Sequence, residues 1–416
     1  MKRVLLVSYY FPPMPEAGAL RGKFLARYLP RWGWQPTVVA LAYPGVRETD
    51  LDARYAGNPL VRTSRGVANA GPAGAATPAS PAAASRSVAA HVYRRLVKSY
   101  FPDAAMGWIV PAYRAAARVL AEQRFDAVIT TAHPASAHVV GFLLASRFGL
   151  PWVADYRDPW TGYEYDRQSA LRTNLARRLE RTIIRRAARV TAVSDGVRDT
   201  LRALHGRSDV VTIPNGVAAD DWSAVPARAP VEFNLVYGGM LYGGRRSPDT
   251  LFAAAAALRR AGSAAGRAVR FDFYTADTPV VLASAERHGI GDAVRTHALV
   301  PRAEMLQRQR EAAGLAIILR DQASLAQEYG SKIFEYLGAG RPILATGPRG
   351  SVVADLLAQS GAGYFAADAQ EAAALLSVMY EHYAGGQIDV VLRGGFQPFT
   401  AIDLAQRFGQ LLDQLA

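Results

Sequence analysis

Short apolar runs that do not alternate with polar residues recur along this chain of 416 residues, each followed by a loop and then by apolar residues at helical spacing. The first is Val4-Leu5-Leu6-Val7 within residues 3–8. A strand that is apolar on both faces belongs in a parallel sheet covered by helices on both sides. The loop Tyr9 to Ala19 follows, and its prolines forbid helix until about Ala17. Leu20, Phe24, Leu25, Tyr28 and Leu29 then mark a helix, Trp32-Gly33-Trp34 ends it, and Thr37 to Ala42 reads as a second strand. Strand, loop, helix, strand is half of a Rossmann-like domain. Further strands are expected at Asp126 to Thr131, Pro151 to Asp155, Arg189 to Ser194 and from Val210. The second half repeats the pattern at Phe233 to Tyr237, Val269 to Tyr274, Val294 to Leu299, Leu315 to Leu319 and Ile343 to Ala345. The chain is too long for one core, so the fold class is α/β with two Rossmann-like domains. We place an N-terminal domain at 1–216, a linker at 217–230, a C-terminal domain at 231–398 and a closing helix at 399–416 that packs back toward the first domain.

Residues 66–90 are rich in Ala, Gly, Pro and Ser and cannot bury a core, so they read as a mobile loop inside the first domain. The net charge of +13 is uneven: residues 1–215 hold 30 Lys and Arg against 15 Asp and Glu, leaving 18 against 20 for the rest. A basic half suits an anionic membrane surface or an acidic acceptor; nucleic acid is supported by charge alone and is not expected as a partner. Two stretches are candidates for membrane contact. One is Val92 to Pro102 with Trp108-Ile109-Val110-Pro111, where basic and aromatic residues interleave, unless those aromatics face their own core. The other is the helix carrying Arg167, Arg172, Arg177, Arg178, Arg181, Arg185, Arg186 and Arg189. There is no cysteine, hence no disulfide, thiolate zinc site or Cys nucleophile. With no signal peptide and no membrane span to be read, the expected place is the cytoplasm, with peripheral contact at the inner membrane face.

The stretch with most chemical content is Gln327-Glu328-Tyr329-Gly330-Ser331-Lys332-Ile333-Phe334-Glu335. A glycine-containing loop that frees N–H groups at a helix N-terminus, with a lysine beside it, suits a phosphate. Glu335, one turn into the helix, suits a ribose hydroxyl pair. A second loop, Gly238-Gly239-Met240-Leu241-Tyr242-Gly243-Gly244-Arg245-Arg246, lies between a strand and its helix and has the same character. In the first half, His133 sits at a strand end where open sheets place ligands, or makes a plain loop hydrogen bond, while His138 reads as a packed residue. Asp155, Arg157 and Asp158 cluster at the next strand end, where they suit sugar hydroxyls or form a helix cap with an internal ion pair. The first loop lacks G-x-G-x-x-G, so a nicotinamide cofactor is not supported.

Taken together, the loop ending at Gly18, His133, Ala154 to Trp160, Val193-Ser194, Ile213-Pro214-Asn215-Gly216-Val217, the Gly239 loop and Ser331 to Leu337 resemble the retaining, nucleotide-sugar-dependent glycosyltransferases of family 4, bacterial surface-polysaccharide branch. The resemblance implies the GT-B architecture, two Rossmann-like domains facing across a cleft. It implies transfer of a sugar from a nucleotide-diphosphate sugar to a saccharide or lipid-linked acceptor. Catalytic roles would fall to His133, at the transferred sugar, and to Arg245 and Lys332, at the departing diphosphate. Gly18, Gly239, Arg246, Gly330, Ser331, Glu335 and Glu328 would bind the donor, and Asp155, Arg157 and Asp158 would lie on the acceptor or sugar side. No cofactor is implied. Asp155 and Asp158 lack D-x-D spacing and Asp220-Asp221 lies in the linker, so metal independence is expected. The sequence departs from the family at two points. Gln327 stands where the first of two glutamates is usual, with Glu328 one residue late, and Met240 stands where relatives have arginine, with Arg245 or Arg246 left to supply the charge. A non-catalytic, nucleotide-sugar-binding subunit is the alternative that the Gln327 position motivates.

Overall fold

The computed structural model describes residues 1–12, 14, 18–42, 60–63, 101–162, 170–320, 329–390 and 400–415. The loop at 66–90, the basic-aromatic residues 92–100, Arg167, Gln327 and Glu328 lie outside the described residues. Two compact units form. Among the described residues, one comprises those up to 216 with 400–415, and the other those from 217 to 390.

The first unit holds seven parallel strands: β1 (Lys2–Ser8), β2 (Trp34–Leu41), β3 (Leu60–Thr63), β4 (Ala127–Ala132), β5 (Trp152–Tyr156), β6 (Arg189–Ala192) and β7 (Val210–Thr212), in the order β3-β2-β1-β4-β5-β6-β7. The second holds β8 (Asn234–Gly238), β9 (Arg270–Tyr274), β10 (Val294–His297), β11 (Gly314–Ile318), β12 (Ile343–Thr346) and β13 (Gly363–Ala366), in the order β10-β9-β8-β11-β12-β13. Val4 to Val7, Val128-Ile129 and Leu235-Val236 are buried on both faces, which is why their sequences do not alternate. In each sheet the strand order reverses beside the first strand, between β1 and β4 and between β8 and β11. Loops leaving the carboxyl ends of those pairs open on the crevice where such sheets take ligands.

Residues 217–230 carry structure of their own. The short helix Ala219–Ser223 plants Trp222 in the second core, over Gly338, where a Cβ would collide with the indole. The Pro- and Ala-rich composition hid this anchor, which Val217 and Val225 join against the same core. The helix Ala401–Asp413 lies on the first unit, its start capped by a reciprocal Thr400–Asp403 pair. Of the two readings of the Trp108 stretch, the packed one holds for Trp108, which is fully buried and donates from Nε1 to Thr63 Oγ1 at 2.6 Å.

Asp155 is corrected. Rather than facing a sugar, it is fully buried and accepts a bidentate pair from Arg21, Nε to Oδ2 and Nη2 to Oδ1, both at 2.7 Å, plus Thr191 Oγ1 at 2.7 Å. Burial pushes its carboxyl up, but the Arg21 charge and the hydrogen bonds of Arg21, Thr191 and Thr131 outweigh that and hold it below the ordinary value. Arg21 reaches further, donating to Ile213 O at 2.9 Å and Asn215 Oδ1 at 3.1 Å and lying over the Phe408 ring at 5.3 Å. One guanidinium thus ties the Gly18–Tyr28 helix to β5, to the end of β7 and to the closing helix. Removing it alone strands a buried carboxylate, so Arg21→Met is expected to cost about 3–5 kcal/mol in chemical denaturation, and adding Asp155→Leu to recover most of the loss. Equal stability of Arg21→Met and wild type would refute the assignment.

Candidate active site

In the second unit, residues 93 positions apart in sequence meet. Gly239 follows β8 with φ +128°, a conformation natural to glycine, and a Cβ there would lie 2.5 Å from Lys332 Nζ. The lysine comes from the helix Ser331–Ala339, whose first residue follows an extended Gly330 and has no side-chain cap. Its Nζ stands 4.3 Å from the centroid of the Tyr237 ring and donates to Tyr237 Oη at 3.2 Å. Tyr237 in turn donates to Met240 O at 2.9 Å, and burial pushes its phenol up to about 12, so it stays neutral. Arg246 hydrogen-bonds the same phenol, and its Nε is buried without an acceptor among the described residues. Burial first, then the Arg246 charge, pull Lys332 down to about 7, while Glu335 opposes them. Here Gly239, Lys332 and Arg246 converge, and Gly330 precedes the helix that carries the lysine. Of the two arginines, Arg246 is half-buried and acts on Lys332, while Arg245 is exposed.

The glycine-rich loop does not offer its amides as sequence suggested. Asp277 Oδ2 accepts from Leu241 N at 2.7 Å and Tyr242 N at 3.0 Å, and Oδ1 from Gly243 N at 3.3 Å. These N–H groups are spent on a buried carboxylate, which leaves the side chains and the uncapped helix start to meet an anion. Asp277 fixes Tyr242 at φ 54°, with its ring nearly half exposed beneath the guanidinia of Arg246 and Arg320, 5.1 and 4.8 Å from its centroid. Glu335 is held from both sides, Oε1 by Gln309 Nε2 at 2.7 Å and Oε2 by Arg302 at 3.2 Å, and Arg302 also pairs with Asp221 at 3.2 Å. Sequence reading missed Tyr237, Asp277, Arg302, Gln309 and Arg320. None stands in a motif: Tyr237, Asp277 and Arg320 lie at or just after strand ends, and Arg302 and Gln309 on the helix Arg302–Glu311.

In the first unit the loops after β1, β4 and β5 gather around Arg157. Its Nε donates to Ala132 O at 3.0 Å and its Nη2 to His133 O. A Cβ on Gly18 would lie 2.5 Å from Arg157 Nη1, so the glycine admits the guanidinium at the start of the Gly18–Tyr28 helix. Gly18, His133 and Arg157 are therefore one cluster, in which Arg157 positions the half-buried His133 segment; the peptides on both sides of His133 are cis. Asp158 is half-buried beside Arg157 and raises its pKa against the lowering by burial. His138 is a core residue: Nδ1 lies 2.7 Å from Thr130 Oγ1, and burial pulls the ring down to about 3.

Fold and sites define a protein of the GT-B class, two Rossmann-like domains with candidate ligand loops at their strand ends. Residues 23–221 match the model of Glycosyltransferase Family 4, and together with the GT-B fold this supports a glycosyltransferase. A comparison with curated protein sequences gives no match. Among solved structures the chain is similar to Anabaena HepE in complex with UDP, with a TM-score of 0.62 and 17% identity over 100% of both chains. It is similar to a sucrose-phosphate synthase from Thermosynechococcus elongatus, with a TM-score of 0.61 and 14% identity over 100% of this chain and 99% of the other. The lipopolysaccharide outer core galactosyltransferase WaaB, apo form, gives 0.50 and 12% over 100% and 99%. At these identities the likeness is one of fold.

The Lys332 environment sets a pH dependence. With the lysine near 7, an anion bound at Gly239 and Lys332 favours the ammonium form. Affinity is then full below about pH 7, falls as pH rises above it, and binding near neutrality takes up a proton. Titration calorimetry of a nucleoside diphosphate in buffers of different ionisation enthalpy reads this uptake directly, and Lys332→Met is expected to abolish it. Binding without uptake in the wild type would exclude Lys332 from the contact.

Proposed function

We propose that the protein is a retaining glycosyltransferase that moves a sugar from a nucleotide-diphosphate sugar to a saccharide or lipid-linked acceptor of a cell-surface polysaccharide, without a metal. The observation that carries this reading is the meeting of Lys332 and Arg246 beside Gly239 and the uncapped helix start at Ser331. Glycosyl transfer builds positive charge on the sugar and negative charge on the departing diphosphate. Two fixed cations in a partly desolvated place stabilise the latter as it leaves, the task a metal performs elsewhere. Glu335, with both oxygens oriented by Gln309 and Arg302, takes the ribose hydroxyls. His133, held through its carbonyl by Arg157, contacts the transferred sugar. With no carboxylate assigned as nucleophile, the acceptor attacks from the face the diphosphate leaves, and the donor phosphate takes its proton.

The first experiment is a thermal-shift panel of UDP, GDP, ADP and TDP, since a bound nucleotide raises stability by mass action. With the matching nucleotide sugar, turnover is expected to persist in EDTA. Lys332→Ala and Glu335→Ala should each lower kcat/KM by roughly 100-fold or more, as loss of an oriented charge contact does. Arg157→Ala should lower kcat and leave nucleotide affinity unchanged. Full activity of Lys332→Ala would reject the site, and binding without turnover on every acceptor would return the non-catalytic reading.

We further propose that the first unit docks on anionic membrane through the helix Ala170–Arg186. Leu171 and Leu175 on it are 80% and 54% exposed, beside exposed Arg177, Arg178, Arg181 and Arg185. Its one acid, Glu180, is fully buried, so this face is wholly cationic. No helix among the described residues is long and apolar enough to cross a membrane. Co-sedimentation with vesicles containing phosphatidylglycerol is expected to be lost in the Leu171→Glu, Leu175→Glu variant and to weaken in high salt. Equal sedimentation of the variant would exclude this face.

A further inference from the structure

Arg320 follows the end of β11, and the Gly239 loop follows the end of β8. These are the two strands between which the order of the second sheet reverses. Arg320 and Arg246 reach Tyr242 from these separate loops, their guanidinium carbons 4.8 and 5.1 Å from the ring centroid. The ring itself is pinned. Tyr242 holds a left-handed backbone, φ 54°, because Asp277 accepts from the N–H groups of Leu241, Tyr242 and Gly243. That arrangement costs backbone strain for a bulky residue, and it presents the ring at the crevice, 47% exposed. An aromatic face orients a guanidinium and leaves its N–H edge for other acceptors. The Nε of Arg246 is buried and without an acceptor among the described residues, which points to an acceptor supplied by a ligand.

We propose that Arg320 is a donor-binding residue, which with Arg246 forms a guanidinium pair set by the Tyr242 ring to grip the diphosphate. This rests on the donor reading above and deepens it. Lys332 is the point charge at Gly239; the two arginines are planar forks of the kind that suits phosphate oxygens. Tyr242 acts as the positioning residue, since it holds the forks rather than touching the phosphates through its hydroxyl.

The experiment uses the full chain. Wild type is first titrated with UDP, GDP, ADP and TDP, and the tightest diphosphate and its parent nucleoside are then titrated into Arg320→Ala, Tyr242→Phe and Tyr242→Ala. Arg320→Ala and Tyr242→Ala are expected to weaken the diphosphate by about tenfold or more, the worth of a charge-assisted contact, with nucleoside affinity unchanged. Tyr242→Phe, which keeps the ring, should bind as wild type does. If the alanine variant of Arg320 does not fold, Arg320→Lys keeps the charge without the fork and should weaken the diphosphate selectively as well. Unchanged diphosphate affinity in a folded Arg320 variant, or an equal loss for the nucleoside, overturns the proposal while the donor reading stands. Failure of the wild type to bind any of the four diphosphates removes the donor reading and this inference with it.

Discussion

A lysine ammonium pressed against a glycine backbone, over a tyrosine ring and within the field of an arginine, is the interaction on which the second unit's candidate site is built. Ordinary folding avoids such a meeting, because desolvation and like charge both raise its energy. The rest of the unit is arranged to hold it. Gly239 removes the Cβ that would displace the ammonium, the neutral Tyr237 supplies ring and oxygen, and the central strands β8 and β11 fix the loops from which the cations come.

The two units use arginine in opposite ways. In the first, Arg21 and Arg157 are consumed by the fold, one neutralising a buried carboxylate and the other holding two loop carbonyls. In the second, the carboxylate at the glycine-rich loop, Asp277, accepts from backbone amides, and Arg246 and Arg320 lie over the Tyr242 ring. A basic composition therefore says little until each cation is matched with its acceptor. The exposed arginines of the Ala170–Arg186 helix are where the excess of the first half reaches solvent.

Much of the fold is legible in the sequence because a strand buried on both faces cannot hide: Val4 to Val7, Leu235-Val236 and Ile343-Leu344 announce themselves by the absence of alternation. The short strands β3 and β13 at the sheet edges do not, having four residues each and half-exposed side chains. Gly239 and Lys332 were readable as members of phosphate-suited loops, but their contact is a property of sheet order. Asp155 misled because a strand-end acid between polar neighbours looks the same whether it faces a ligand or a buried arginine 134 residues away. Asp277, Arg320 and Gln309 carry no local signature at all, since their roles follow from what the neighbouring loop or helix brings to them.

The contact between Gly216 and Thr400, so close that a Cβ on the glycine would overlap the Thr400 backbone, has a topological meaning. The chain leaves the first unit and re-enters it at two touching points, so everything between them is an insert in an otherwise continuous domain. The core tied together by Arg21 includes Phe408, from beyond the insert, which makes the first domain complete only once the whole second unit has been synthesised. The same adjacency makes the second unit an exchangeable cassette: a different α/β domain spliced between residues 216 and 400 would leave every strand of the first sheet and its closing helix in place.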